Sequence, residues 1–162
     1  MIDPAGILRD SGVERPAPDA LAITRVFTVQ PGVLWTLFTD PARFAAWWGP
    51  KGATCTECAL DLRPGGAWRT VIRGDDSGEI HVIRGVYVEV EAPHRLVFTW
   101  FFGDAEPSGP VSEVTLDFAA RGRGSELRLF HRSLPPEMAD NHERGWLGAF
   151  ESLDDHIIAE GL

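Results

Sequence analysis

PPEMADNHERGWLGAFESLDDHIIA, residues 135–159, is the stretch that decides the architecture. Pro135 and Pro136 suit a first helical turn. Beyond them Met138, His142, Gly145, Ala149, Leu153 and Ile157, with Trp146 and Phe150 adjoining, recur at 3.6-residue spacing as one broad apolar stripe. A helix of about 22 residues reaches about 33 Å at 1.5 Å per residue, enough to lie across a whole sheet. Gly145 and Gly148 each lower helix propensity by about 1 kcal/mol, so close approach of another element, or room left for something, has to favour them.

The chain before this helix supplies what it covers. Apolar residues recur there in short runs separated by turn dipeptides, which predicts strands at about 53–62, 66–73, 79–91, 95–102, 111–119 and 125–132. Pro64-Gly65-Gly66, Asp75 to Gly78, Ala92-Pro93-His94, Gly103 to Pro110 and Arg121 to Gly124 are the turns between them. Alternation puts Trp68, Thr70 and Ile72, then Leu96, Phe98, Trp100 and Phe102, then Val114, Leu116 and Phe118, then Leu127, Leu129 and His131 on the inner face. Arg69, Arg73, Glu113, Asp117, Arg128 and Arg132 fall on the outer one. Such a sheet is wet on one side and needs a cover on the other.

Further upstream, Leu21 to Val29 is rich in β-branched residues and ends at Pro31, which makes it the first strand. Val33, Leu34, Leu37 and Phe38 have helical spacing, and Asp40-Pro41 reads as an N-cap and first residue of a second short helix that Gly49-Pro50 stops. Residues 1–18 carry three prolines and two glycines without periodicity and read as a mobile leader. The expected organisation is one α+β domain over residues 19–162. It has a curved antiparallel sheet of about seven strands, two short helices between strands 1 and 2, and a long C-terminal helix.

Composition narrows the function classes. The 162 residues, 44% hydrophobic and 24% charged, suit one core. Fifteen Lys and Arg against 24 Asp and Glu give a net charge of −9, which works against binding duplex nucleic acid or an anionic membrane. No apolar run approaches the roughly 20 residues of a bilayer span, and the first residues lack the basic end and apolar stretch of a signal peptide, so a cytoplasmic location is expected. Cys55 and Cys58 form a C-x-x-C, a pattern that suits a redox pair or half a zinc site, but no second pair completes it. In an extended strand a spacing of three puts the two side chains on opposite faces, with Cys58 on that of Leu60 and Leu62, so the pair reads as packing.

Several local motifs occur in a particular order. They are Thr24-Arg25-Val26-Phe27, Thr39-Asp40-Pro41, Ala46-Trp47-Trp48-Gly49-Pro50, Asp61 to Trp68, Gly85 to Glu89, and His142 with Gly145-Trp146. In these, over about residues 20–158, the chain resembles the activator of heat-shock protein 90 ATPase homologue family. That family belongs to the START-related, birch-pollen-allergen-like (SRPBCC) superfamily. The resemblance implies a helix-grip fold with an internal cavity between sheet and long helix. It implies no particular reaction, because the same grip serves carriers, cyclases, resistance proteins and co-chaperones.

Six Trp and nine Phe are the richest functional signal. Trp48, Trp68, Phe98, Trp100, Phe102, Leu129, His131, His142, Trp146 and Phe150 are the residues expected to face a cavity under the helix. Singly each is ordinary core, but a strongly curved sheet under one helix is hard to fill, and the remainder would hold a planar or lipid-like ligand. The five histidines show no metal-ligand spacing, so neither metal nor cofactor is expected. No nucleophile with base and orienting group is recognisable, and Glu89 or His131 is the nearest to an acid or base. The leading expectation is non-catalytic binding of a small hydrophobic or aromatic ligand by a monomer or homodimer, in a stress or resistance response. A co-chaperone-like protein-interaction role and a cyclase-like enzyme are the alternatives.

Overall fold

The structure, a computed structural model, describes residues 11–162. Eight strands form one antiparallel sheet: β1 (Ser11–Ala17), β2 (Ala20–Phe27), β3 (Ala53–Leu60), β4 (Ala67–Gly74), β5 (Ile80–Glu91), β6 (Arg95–Phe102), β7 (Ser112–Arg121) and β8 (Gly124–Arg132). Their order across the sheet is β1-β2-β8-β7-β6-β5-β4-β3. Two short helices, α1 (Pro31–Thr39) and α2 (Pro41–Ala45), join β2 to β3, and after a single 3₁₀ turn (Pro136–Met138) the long α3 (Ala139–Ala159) closes the inner face. This is the α+β helix-grip arrangement.

The strand boundaries follow the alternation, and the buried set of α3 (Ala139, His142, Trp146, Ala149, Phe150, Leu153 and Ile157) is the expected apolar stripe with Ala139 in place of Met138 and with Gly145 left exposed. Asp40 caps α2, its carboxylate accepting from the Arg43 N–H at 3.1 Å, and Gly49, at φ 119°, turns the chain away after Trp48. Edge-on ring contacts of Phe38 and Trp35 with Phe118 seat α1 on the sheet, while Phe27 against Phe150 seats α3 on β2.

The sheet has eight strands, not about seven. The added one, β1, comes from residues read as leader; residues 1–10 of that reading lie outside the described residues. β1 shows no periodicity because it is an edge strand with a register shift between Glu14 and Ala17, where Pro16 is tolerated. What fixes it is long-range. Its backbone pairs with the free edge of β2, and Arg15 donates to Asp140 at 2.8 Å and Glu143 at 3.0 Å on α3. At the acidic end of α3, Asp154 pairs with Arg25 at 2.6 Å and Asp155 with Lys51 at 3.2 Å.

β3 breaks alternation. A register shift between Cys55 and Glu57 leaves Cys55 opposite Ile72 and Cys58 opposite Thr70, and its burial pattern doubles the exposed positions at Thr56 and Glu57. The bulge therefore turns both cysteines to the same face, correcting the expectation of opposite ones.

Glycines separate by what their missing side chain leaves. At Gly85, opposite Trp68, a Cβ would lie 1.9 Å from the Thr99 carbonyl oxygen, the atom to which the Trp68 indole donates at 3.0 Å. At Gly148 it would press on Pro50 at 3.1 Å, whereas at Gly145 nothing lies within 4 Å. Close approach and vacant room, the two reasons for glycine in α3, thus each occur once. Gly85→Ala is expected to destabilise the fold by about 1–3 kcal/mol through overpacking. Gly145→Ala is expected to stabilise it by about 0.5–1 kcal/mol through helix propensity. Thermal unfolding of the two variants should move in opposite directions, by about 2–4 °C per kcal/mol for a chain of this size.

Candidate functional site

A cleft of about 470 Å³ opens between the first half of α3 and strands β4 to β6. Its deep wall is three indoles on three elements: Trp100 of β6 and Trp146 of α3, with centroids 5.0 Å apart, and Trp48 after α2, 5.5 Å from Trp146. Ile72 and Ile83 continue the wall along the sheet, and Phe102, 47% exposed, forms a lip. The open space at Gly145 is the gap in the helix side. Polar groups sit at the rim, where Lys51, Glu79, His81 and Asn141 surround the opening.

The indole N–H groups near the cleft are used inside the protein. Trp48 donates to Thr70 Oγ1 at 3.1 Å, Trp100 to His142 Nε2 at 3.2 Å and Trp146 to His131 Nδ1 at 3.1 Å. These partners settle the imidazole tautomers. His131 accepts at Nδ1, so its Nε2–H donates to Ser112 Oγ at 2.8 Å, and the Ser112 hydroxyl donates to the Trp100 carbonyl at 3.1 Å. His142 accepts at Nε2, so its Nδ1–H donates to the Met138 carbonyl at 2.9 Å. Both imidazoles are neutral with both nitrogens engaged. Burial is the main cause holding His131 well below its ordinary pKa, with the charge of a protonated His142 adding to it; burial likewise lowers His142.

Of the ten residues expected in a cavity, Trp48, Trp100, Phe102, His142 and Trp146 line the cleft. Trp68 and Phe98 do not; they border an apolar gap of about 20 Å³ deeper in the core, closed by Phe38, Phe44 and Tyr87. Leu129, His131 and Phe150 are fully packed and touch neither space. His131 is walled off from the cleft by Trp100 and Trp146, whose ring centroids lie 5.3 and 6.2 Å from its own. Glu89, the other acid–base candidate, lies on the outer face and pairs with Arg95 at 3.3 Å, after a register shift between Tyr87 and Glu89. Sequence reading missed the loop Gly49-Pro50-Lys51-Gly52, seen only as a helix stop, and the rim residues Glu79 and His81 in a hairpin. The two glycines bracketing Pro50 and Lys51, both at positive φ, were the available signal.

The family model described as Activator of Hsp90 ATPase homolog 1-like protein matches residues 28–157. No curated protein matches the chain. Among solved structures, an AHSA1 protein of Silicibacter pomeroyi is 30% identical, with a TM-score of 0.77 over 87% of this chain and 99% of that one. Protein Ms6760 of Mycobacterium smegmatis is 25% identical, with a TM-score of 0.80 over 92% of this chain and 98% of that one. An HSP90 activator from Plasmodium falciparum is 28% identical, with a TM-score of 0.56 over 72% of this chain and 74% of that one.

The tautomer assignment carries a pH dependence with a definite sign. Protonating either imidazole in the folded state sets an N–H against an indole N–H, whereas the unfolded chain takes up these protons near pH 6.5. Stability is therefore full above pH 6.5 and falls as the pH drops below it, by at most about 1.4 kcal/mol per pH unit for each imidazole. Calorimetric unfolding between pH 7 and 5 should show net proton uptake. Long-range ¹H–¹⁵N spectra should show His131 as the Nε2–H tautomer and His142 as the Nδ1–H tautomer. A titration of both rings near pH 6.5 in the folded protein would contradict the assignment.

Proposed function

Since the chain belongs to the Activator of Hsp90 ATPase homolog 1-like family, we propose that it binds a small hydrophobic or aromatic molecule in the cleft between sheet and α3, without covalent chemistry. The observation that carries this reading is the cleft's construction. Three aromatic faces and two isoleucines enclose about 470 Å³, within the range of small-molecule sites, and every indole N–H there is already satisfied within the protein. The deep wall offers ring faces and methyl groups and no spare donor. It suits a planar apolar body inserted edge-first past Gly145, with any polar end left at the rim beside Lys51, His81 and Asn141. The acid–base alternative has less to stand on, because His131 and His142 lack a free lone pair and Glu89 lies on the other side of the sheet.

A second reading, interaction with a protein partner, has the similarity to the Plasmodium falciparum HSP90 activator in its favour.

The two readings separate in one experiment. Trp48, Trp100 and Trp146 report on cleft occupancy, so titration with fatty acids, flavonoids, polyketides and sterols should quench or shift tryptophan emission for the class that fits. The same ligand should stabilise the fold by about 2.7 kcal/mol at a hundred times Kd. Gly145→Leu, which places a side chain in the vacant room, should abolish both effects while the protein remains folded. Absence of any saturable response across the panel would transfer support to a protein partner.

A further inference from the structure

We propose that Cys55 and Cys58 form a redox site, a dithiol that a low-molecular-weight disulfide oxidises reversibly to an intramolecular disulfide. In a regular strand the two side chains would stand on opposite faces, and the spacing would carry no chemistry. Here the β-bulge removes one residue from the count. Cys55 and Cys58 face β4 residues Ile72 and Thr70, which are two apart, so the cysteines are consecutive neighbours on one face. The Cys55 thiol donates to the Glu57 carbonyl oxygen at 3.3 Å, and the two thiols are near enough to shift each other's pKa.

The surroundings allow the reaction. β3 is the last strand in the sheet, paired only with β4, so closing a sulfur–sulfur bond adjusts an edge strand and its bulge where the two cysteines border the core. Both residues are half-buried and within reach of a reagent. Cys55 also opens onto a shallow depression of about 350 Å³ between the start of β3 and the last turns of α3, where Lys51 and His156 lie.

The two sulfurs differ in role. Cys55, and not Cys58, lines the depression. The neighbouring Cys58 thiol lowers the pKa of Cys55, helped by backbone groups of Glu57 and Val71 and opposed by burial, while the pKa of Cys58 is raised, first by its place beside Cys55 and then by burial. The Cys55 thiolate attacks a disulfide RSSR, forming a mixed disulfide with Cys55 and releasing RS⁻. Cys58, losing its proton to solvent, then attacks Cys55 Sγ and expels the second RS⁻. Two protein thiols are oxidised and one RSSR is reduced to two RSH, the two protons leaving with the products.

The test equilibrates the full chain with oxidised and reduced glutathione at graded ratios, reading intact mass and free thiols. Wild type should lose two hydrogens and both thiols together as a monomeric species, reversibly. Cys58→Ser should stop at a single glutathione adduct on Cys55, and Cys55→Ser should react with the disulfide at least about tenfold more slowly. Both serines keep the size of the side chain at an edge position, and unchanged thermal unfolding of the reduced variants establishes that they are folded. Wild type that stays reduced at the most oxidising ratio, or that gathers only glutathione adducts or intermolecular dimers, overturns the proposal. Equal rates for the two variants overturn the assignment of Cys55 as the attacking sulfur.

Discussion

The structure turns on one circuit of hydrogen bonds between the long helix and the middle of the sheet. It leaves α3 at the Trp146 indole, passes through His131 on β8 and Ser112 on β7, reaches the backbone of Trp100 on β6, and returns from the Trp100 indole through His142 to the Met138 carbonyl at the start of α3. Each member donates and accepts in one consistent direction, which a buried polar network must do to avoid the penalty of unpaired groups. Among the described residues, no buried side-chain nitrogen or oxygen lacks a partner. The circuit ties one helix to three adjacent strands and fixes where along the sheet that helix sits. Apolar contact alone, being non-directional, does not set such a register.

The cleft follows from this placement. Once Trp100 and Trp146 are held by their nitrogens, their faces are turned to the space in front of them, and Trp48, tied to Thr70, closes a third side. The same tie makes the histidines poor bases. The wall is thus aromatic, with its indole donors already satisfied, and the polar groups Lys51, Glu79, His81 and Asn141 stand at the rim.

Bulges change what a face carries. On β5 the shift between Tyr87 and Glu89 keeps Tyr87 in the core while sending Glu89 outward to Arg95, which removes a carboxylate from the interior. On β3 the equivalent shift gathers two thiols on one side of the edge strand. One irregularity takes chemistry away from the inside and the other assembles it near the surface, although both are single-residue departures from alternation.

How much of this the chain alone could disclose depends on the range of the interactions involved. The period of α3, the alternation of β6 to β8, the Asp40 cap and the turns between strands are local properties, set by which neighbours share a face and which residues tolerate a turn, and they carried the fold class and five of the cleft residues. The burial of His131 behind two indoles was not legible, because periodicity assigns a side and not a depth. Nor was β1, whose order comes from a free sheet edge and from carboxylates more than a hundred residues away in sequence. The meeting of Cys55 with Cys58 belongs to the same class. A bulge is a property of a pair of strands, and it exists only once β3 has found its register on β4.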